Sequence, residues 1–313
     1  MSDLFDCEVP DQPAPPSGAA YEISLGSQRA TIVEVGGAIR SYSVDGRDVF
    51  VPWDEDTSAP VFNGGVLLPW PNRLRGGSYL DADGNRHQLA HSEPDRDNAL
   101  HGLACAERWS LVAQTPTSIT LELALPAQRG WPFQLVTRVR YSLSDDGLEV
   151  EATTRNVGTG KAPYGIGFHP WLSPGDANLD DCTVRVDAAT HVIVDYRLLP
   201  IDTEPVTGEF DLRSPTPAAE LNLDDAWIDP IRDYDGISWM KLGCPDGRTP
   251  AVWMDETMTA WQACTGNHIE GYTRRGLAAE PMTCVADAFN TGEGLKWLAP
   301  GEAHSVRWGA ALL

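Results

Sequence analysis

The sequence predicts an all-β protein, a single large antiparallel β-sandwich, and three observations carry that prediction. After Tyr21, apolar and polar residues alternate with period two along most of the chain, with very little 3.6-residue periodicity. Asp-Gly pairs occur at 45, 83, 146, 235 and 246, mostly between such runs, and Asp-Gly accepts the positive φ of a tight hairpin turn. A content of 29 Gly and 24 Pro leaves little room for long helices.

Taken in order, residues 1–20 are acidic and Pro-rich (MSDLFDCEVPDQPAPPSG at the start) and read as a flexible leader. The fold is expected over 21–313. Ile119, Leu121, Leu123 and Leu125 share one face of a strand. Leu135, Thr137, Val139, Tyr141 and Leu143 share one face of the next, and Leu148 and Val150 open a third after Ser144-Asp145-Asp146-Gly147. A length of 313 residues allows two domains. Neither a repeat nor a linker divides the chain, so one sandwich domain is the expectation.

Composition excludes several functions. Forty-two per cent hydrophobic and 22% charged residues suit an ordinary globular core. Against 23 Lys and Arg stand 45 Asp and Glu, a formal charge of −22. That field repels polyanions, so neither nucleic acid nor an anionic membrane surface is an expected partner. No apolar run reaches the roughly 18 residues of a membrane span. The N-terminus lacks the apolar core of a secretory signal, and a cytoplasmic location is expected. Cysteines 7, 105, 182, 244, 264 and 284 are spread singly without C-x-x-C, which reads as reduced thiols rather than a disulfide framework or a cysteine zinc site. Phosphate-loop, dinucleotide, H-E-x-x-H and G-x-S-x-G motifs are absent.

Four polar segments in Gly- or Pro-rich surroundings remain. Leu68-Pro69-Trp70-Pro71-Asn72-Arg73 offers an Arg fork and an Asn amide, a combination suited to hydroxyl groups. Asn98-Ala99-Leu100-His101-Gly102-Leu103 and Gly165-Ile166-Gly167-Phe168-His169-Pro170-Trp171 each set one His among apolar neighbours. A lone His in that setting is commonly a hydrogen-bonded core residue, and no third ligand has the spacing of a metal site. Leu277-Ala278-Ala279-Glu280-Pro281-Met282-Thr283-Cys284 sets a carboxylate in an apolar run, either a strand-end surface residue or a tuned carboxyl group. Eleven Trp supply core and sugar-stacking candidates alike.

In this order, Pro-Trp-Pro-Asn-Arg, Leu-His-Gly-Leu and Glu-Pro-Met-Thr-Cys resemble the aldose 1-epimerase (galactose mutarotase) family, in its bacterial members, from about Tyr21 to the C-terminus. The resemblance implies the large sandwich of that family, an open cleft for a pyranose, and no cofactor. It implies Glu280 as general base, His169 as general acid and His101 as a second active-site histidine. Asn72 and Arg73 would hold sugar oxygens, and Trp171 stands where Tyr is frequent. Asp224 matches a hydroxyl-binding aspartate, with a one-residue slip to Asp225 left open, and Gln262 matches a sugar-contacting glutamine.

The implied reaction interconverts α and β anomers of a hexose such as glucose or galactose. Base and acid act on the two ends of the C1–O5 unit to open the ring, then in reverse to close it. Reference values put Glu ionised and His protonated between about pH 4.3 and 6.5, and mutual attraction would widen that window upward. Two rivals stay open. One is a hexose 6-phosphate epimerase using Arg75, Arg96 or Arg108. The other is a non-catalytic carbohydrate-binding protein, which would not need Glu280 with His169. A monomer or homodimer is expected.

Overall fold

The computed structural model describes residues 15–313. The leader expected over 1–20 therefore lies outside the described residues as far as 14, and its last residues belong to the fold. Ser17 is buried. Its carbonyl accepts from Val35 N–H at 2.9 Å, and Ala19 N–H donates to Glu34 Oε2 at 2.9 Å. The first strand opens at Ala20. A Pro-rich stretch satisfies few of its own backbone groups, so the adjoining strand end supplies the partners.

Every pairing between named strands is antiparallel. A nine-stranded sheet runs, edge to edge, through Ser110–Gln114, Ser118–Leu125, Leu135–Ser144, Gly147–Asn156, Ala303–Leu312, Pro250–Met254, Ser238–Gly243, Thr183–Val186 and Thr216–Pro217. An eight-stranded sheet runs through Pro200–Pro205, Ala188–Val194, Asp224–Pro230, Ala260–Cys264, Leu277–Met282, Gly167–Phe168 and Val66–Leu67, with Trp171–Leu172 also paired to Leu277–Met282. A four-stranded sheet over residues 20–48 and three strand pairs complete the architecture. The one α-helix among the described residues is Ala288–Thr291. No helix there is long and apolar enough to cross a membrane.

Alternation does what the sequence implies. Ile119, Leu121, Leu123 and Leu125 all point inward, as do Leu135, Thr137, Val139, Tyr141 and Leu143. Four of the five Asp-Gly pairs lie wholly in connections between strands, and the fifth, Asp146-Gly147, ends one by opening the strand Gly147–Asn156. At 45–46 the two residues alone join Val44 to Arg47, with φ of 53° and 76°, the backbone of a two-residue hairpin turn. The two large sheets meet through aromatic side chains. Phe168 of one packs on Trp308 of the other at 5.1 Å between ring centres. Trp261 Nε1–H donates to Ser238 Oγ at 3.0 Å, which satisfies an indole buried between the layers.

Inward and outward positions of one strand should therefore respond differently to substitution. Leu121→Ala, at a fully buried position, is expected to cost about 2–5 kcal/mol. Ala124→Ser, on the exposed face of the same strand, should stay within about 0.5 kcal/mol. Urea unfolding followed by Trp fluorescence checks both, and equal effects would contradict the packing.

Candidate active site

Three adjacent strands build the floor of a cleft. Their register sets Ala226 opposite Gln262 and Gln262 opposite Glu280, with Asp224 opposite Cys264. Directly opposed residues share a face of the sheet. Asp224, Gln262, Cys264 and Glu280 therefore all face the cleft, while Trp227 and Trp261 face the core between the sheets. The cleft encloses about 290 Å³ and is also lined by Phe62, Asn72, Arg73, His101 and His169. That volume lies near the lower end for small-molecule sites, about 300–1,000 Å³.

The same alternation settles the neighbouring aspartates. Asp224 takes Gln262 Nε2–H at 2.8 Å on one oxygen and Arg73 Nη2–H at 3.4 Å on the other. Asp225 points through the sheet to the ring of buried His191, at 3.0 Å. It does not reach the cleft.

Two loops roof the floor, and each places a non-glycine residue in the left-handed region: Asn72 at φ 58° and His101 at φ 60°. Such residues are uncommon and gather at functional sites. These two hold each other. His101 N–H donates to Asn72 O at 2.8 Å, and Asn72 N–H donates to His101 Nδ1 at 3.2 Å. An accepting Nδ1 assigns the proton of the neutral ring to Nε2. Gly102 follows at φ 74°, where a Cβ would lie 2.2 Å from Leu68 O. Only glycine allows the two loops to approach so closely.

Behind this wall the polar groups form one chain. Asn72 Nδ2–H donates to Gln262 Oε1 at 3.0 Å, and Asn72 Oδ1 accepts from Arg73 N–H at 2.8 Å. Arg73, 8% exposed, makes a bidentate pair with Glu93: Nε reaches Oε2 at 3.0 Å and Nη2 reaches Oε1 at 3.0 Å. Glu93 is held in turn by buried Asn98, whose Nδ2–H reaches its Oε2 at 2.9 Å, and by Arg96 at 3.0 Å. Burial raises the pKa of Glu93, but its hydrogen bonds from Arg73 and Asn98 outweigh that and hold it below the usual carboxylate range.

Glu280 and His169 face each other across the floor, with Nε2 and Oε1 3.5 Å apart. Both are almost wholly buried. Burial pushes the Glu280 carboxyl well up, with Asp224 adding to the shift and Arg73 opposing it. Burial also pulls His169 down to about 4, helped by Arg73. His101 is likewise lowered by burial, by His169 and by Arg73. This corrects the expectation that mutual attraction would keep the pair ionised: desolvation of two charges outweighs their attraction at this distance. Both shifts favour the neutral forms, a protonated carboxyl beside a neutral imidazole. Glu280 Oε2 and His169 Nδ1 are buried without a protein hydrogen-bond partner, as groups awaiting a polar ligand would be.

Of the residues nominated from sequence, Glu280, His169, His101, Asn72, Arg73, Asp224 and Gln262 meet in this one cleft. Trp171 borders it differently. It lines the cleft, but it is fully buried, stacks behind His169 at 5.9 Å between ring centres and packs edge-on against Tyr272. Among the cations proposed for a phosphate, only Arg96 lines the cleft. Arg75 is paired with Asp287 and Arg108 with Glu34, both outside it. Sequence reasoning missed Glu93, Phe62 and His268. Glu93 lies in Ser92-Glu93-Pro94-Asp95-Arg96, which reads as a solvated charged loop, and Phe62 precedes an ordinary Asn-Gly-Gly turn. Neither segment carries a periodic signal. Among the described residues no group of three or more His, Cys, Asp and Glu is arranged to hold a metal.

Comparison with known proteins places the chain in a family and a fold. The sequence matches the Aldose 1-epimerase family over residues 20–309. It is 32% identical to the uncharacterized protein YihR of Escherichia coli over 93% of this chain and 92% of that protein. Its fold resembles a galactose mutarotase-like protein from Clostridium acetobutylicum, with TM-score 0.83, 16% identity, and 94% and 95% of the two chains covered. It also resembles galactose 1-epimerase from Lactobacillus acidophilus, with TM-score 0.76, 18% identity, and again 94% and 95% covered. The sequence match runs through every strand that floors the cleft and not through one motif alone, and the chain belongs to the aldose 1-epimerase family.

Proposed function

We propose that the protein is a cofactor-independent aldose 1-epimerase that interconverts the α and β anomers of a free hexose. The observation that carries this reading is the Glu280–His169 pair, buried at 3.5 Å on the cleft floor with one polar atom of each left unpartnered. A binding module has no use for two desolvated groups that share a proton, because leaving them unpaired costs stability.

Ring opening takes the proton from the anomeric hydroxyl and gives one to the ring oxygen. Glu280 as carboxylate accepts the first and His169 as imidazolium donates the second. The product state is a carboxylic acid beside a neutral imidazole, the arrangement that burial already favours. Reaching the reactive ion pair requires moving the shared proton from Glu280 to His169, and sugar hydroxyls filling the cleft would solvate those charges. After the C1 carbonyl presents its other face, the two transfers run in reverse. His101, with its proton on Nε2, and Arg73 supply donors to the sugar oxygens as the charge shifts. Trp171 serves as a prop that fixes the His169 ring.

A neutral hexose fits better than a hexose 6-phosphate. Arg96 is the one candidate phosphate cation in the cleft, and Glu93 already holds it. The name of the Lactobacillus relative, galactose 1-epimerase, makes galactose a first substrate to try beside glucose.

Polarimetry or NMR on freshly dissolved α-galactose and α-glucose, with a phosphorylated hexose run beside them, tests the proposal. The free sugars should equilibrate faster with protein than without. Glu280→Gln and His169→Gln should each cut kcat by about 10²–10⁴-fold. Near-normal turnover in either variant would remove that residue from the chemistry.

The pH profile follows from the shifts. As pH falls through the depressed His169 value of about 4, the pair gains a second proton and loses its base. As pH rises past the elevated Glu280 value, it loses the shared proton and its acid. kcat/KM should therefore form a broad bell whose acid limb lies near 4, with both limbs belonging to the pair. An acid limb near 6.5 would mean that His169 titrates as an exposed imidazole does.

The two aspartates should separate cleanly. Asp224→Ala is expected to raise KM about tenfold or more with kcat less affected, the pattern of a lost ground-state contact. Asp225→Ala should leave kinetics near normal but cost about 1–3 kcal/mol in urea unfolding, because His191 loses its buried partner. The reverse assignment would make Asp225 the sugar ligand.

A further inference from the structure

Two cysteines far from the cleft stand on neighbouring strands of the nine-stranded sheet. Strand Thr183–Val186 pairs with Ser238–Gly243, and the last paired residues are Thr183 and Gly243. One step further, the same register sets Cys182 opposite Cys244. Opposed residues in an antiparallel pair have Cα atoms about 4.5–5.5 Å apart and side chains on one face, inside the about 4.4–6.8 Å that a disulfide spans. Both thiols are free in the structure; Cys182 Sγ–H reaches Asn178 O at 3.5 Å and Cys244 Sγ–H reaches Leu242 O at 3.5 Å.

A half-buried cation is built against this pair. Arg47 donates through Nε to Asp246 at 2.7 Å and through Nη1 to the carbonyls of Asp48 and Ser173. Its Nη2 is buried with no hydrogen-bond partner, and the Cys244 thiol is near enough to feel the guanidinium charge. Gly175 closes over the group, since a Cβ there would lie 2.5 Å from Arg47 Cζ. An unsatisfied guanidinium N–H beside a thiol favours the thiolate. The neighbouring Cys182 thiol and the Arg47 charge accordingly pull Cys244 down against its burial, while the Cys244 sulfur and burial hold Cys182 up. Cys244 is partly exposed beside the open turn 245–248, and Cys182 is buried behind it.

We infer that Cys244 and Cys182 form a peroxide-oxidised thiol–disulfide site, with Cys244 the attacking thiolate, Cys182 the resolving thiol and Arg47 the group that positions charge on Cys244. The Cys244 thiolate attacks one oxygen of hydrogen peroxide, forming Cys244–SOH and releasing hydroxide. The Cys182 thiol then attacks the sulfenyl sulfur. An S–S bond forms, the S–O bond breaks, and the sulfenyl hydroxyl leaves as water with the thiol proton. Two thiols are oxidised and one peroxide is reduced. The bridge ties the two strands at the end where their pairing stops.

The full chain, reduced and then treated with stoichiometric hydrogen peroxide, is alkylated, digested and mapped by mass spectrometry. The expected result is a Cys182–Cys244 cross-linked peptide, while Cys105, whose thiol burial pushes up to about 11, remains alkylated. Cys182→Ser should trap Cys244 as a dimedone-reactive sulfenic acid, and Cys244→Ser should leave Cys182 reduced. Arg47→Gln should slow oxidation by about threefold for each unit its loss raises the thiol, the gain in nucleophilicity offsetting part of the lost thiolate. Oxidation of Cys105 as fast as Cys244, over-oxidation of Cys244 with Cys182 untouched, or an unchanged rate in Arg47→Gln would overturn the assignment. If Arg47→Gln does not fold, the cross-link map of the unaltered chain decides. The bridged protein should also melt several degrees above the reduced one. A bridged form that melts no higher would show that the strands must distort to close it.

Discussion

A carboxyl group in the middle of a fully buried strand is the constraint around which the cleft is arranged. Every residue of Leu277–Met282 is buried, and Glu280 has neither a lysine nor an arginine in direct contact. Burying a lone carboxylate in such surroundings costs far more than a single hydrogen bond returns. The fold answers by keeping the group able to hold a proton and by setting an imidazole opposite as its exchange partner. The nearby positive charge of Arg73 then restrains the upward shift. Arg73 in turn needs anions, and Glu93 and Asp224 supply them. Asn72 and Gln262 join these groups, so that moving any one of them disturbs the others.

Aromatic packing makes the protonation behaviour what it is. His169 lies between Phe62 and Trp171, with ring centres 6.3 Å and 5.9 Å away, and meets His101 edge-on at 5.2 Å. Water is kept off the ring on these sides, and that exclusion lowers the His169 pKa and raises that of Glu280 together. The shifts have opposite signs yet a common cause. Both favour one neutral, proton-sharing pair, which leaves the cleft without a fixed charge of its own at the reacting position.

Much of this was legible in the sequence, for different reasons in different places. Period-two alternation identified the inward faces of residues 118–125 and 135–144 because burial on one side of a sheet dictates it directly. Asp-Gly pairs marked connections because few other residues accept the turn's backbone. The cleft residues were legible through resemblance, since single polar residues among apolar ones carry no role by themselves. Trp171 shows the limit of that reading. Its place in the motif was right, but its orientation follows from Tyr272 and His169, which approach it from other parts of the chain.

By itself, then, the sequence determined the all-β class and the strand faces, which depend on local pattern, and through its short motifs most of the polar residues that meet in the cleft. Tertiary structure alone decided which of Asp224 and Asp225 faces the cleft, since that depends on the phase of a strand against its neighbours. It alone recruited Glu93 from a charged loop to clamp Arg73, and it removed Arg75 and Arg108 from the site by pairing them elsewhere. It also set burial against the expected ionisation of Glu280 and His169. Charge attraction between two named residues can be imagined from sequence, but desolvation is set by everything packed around them.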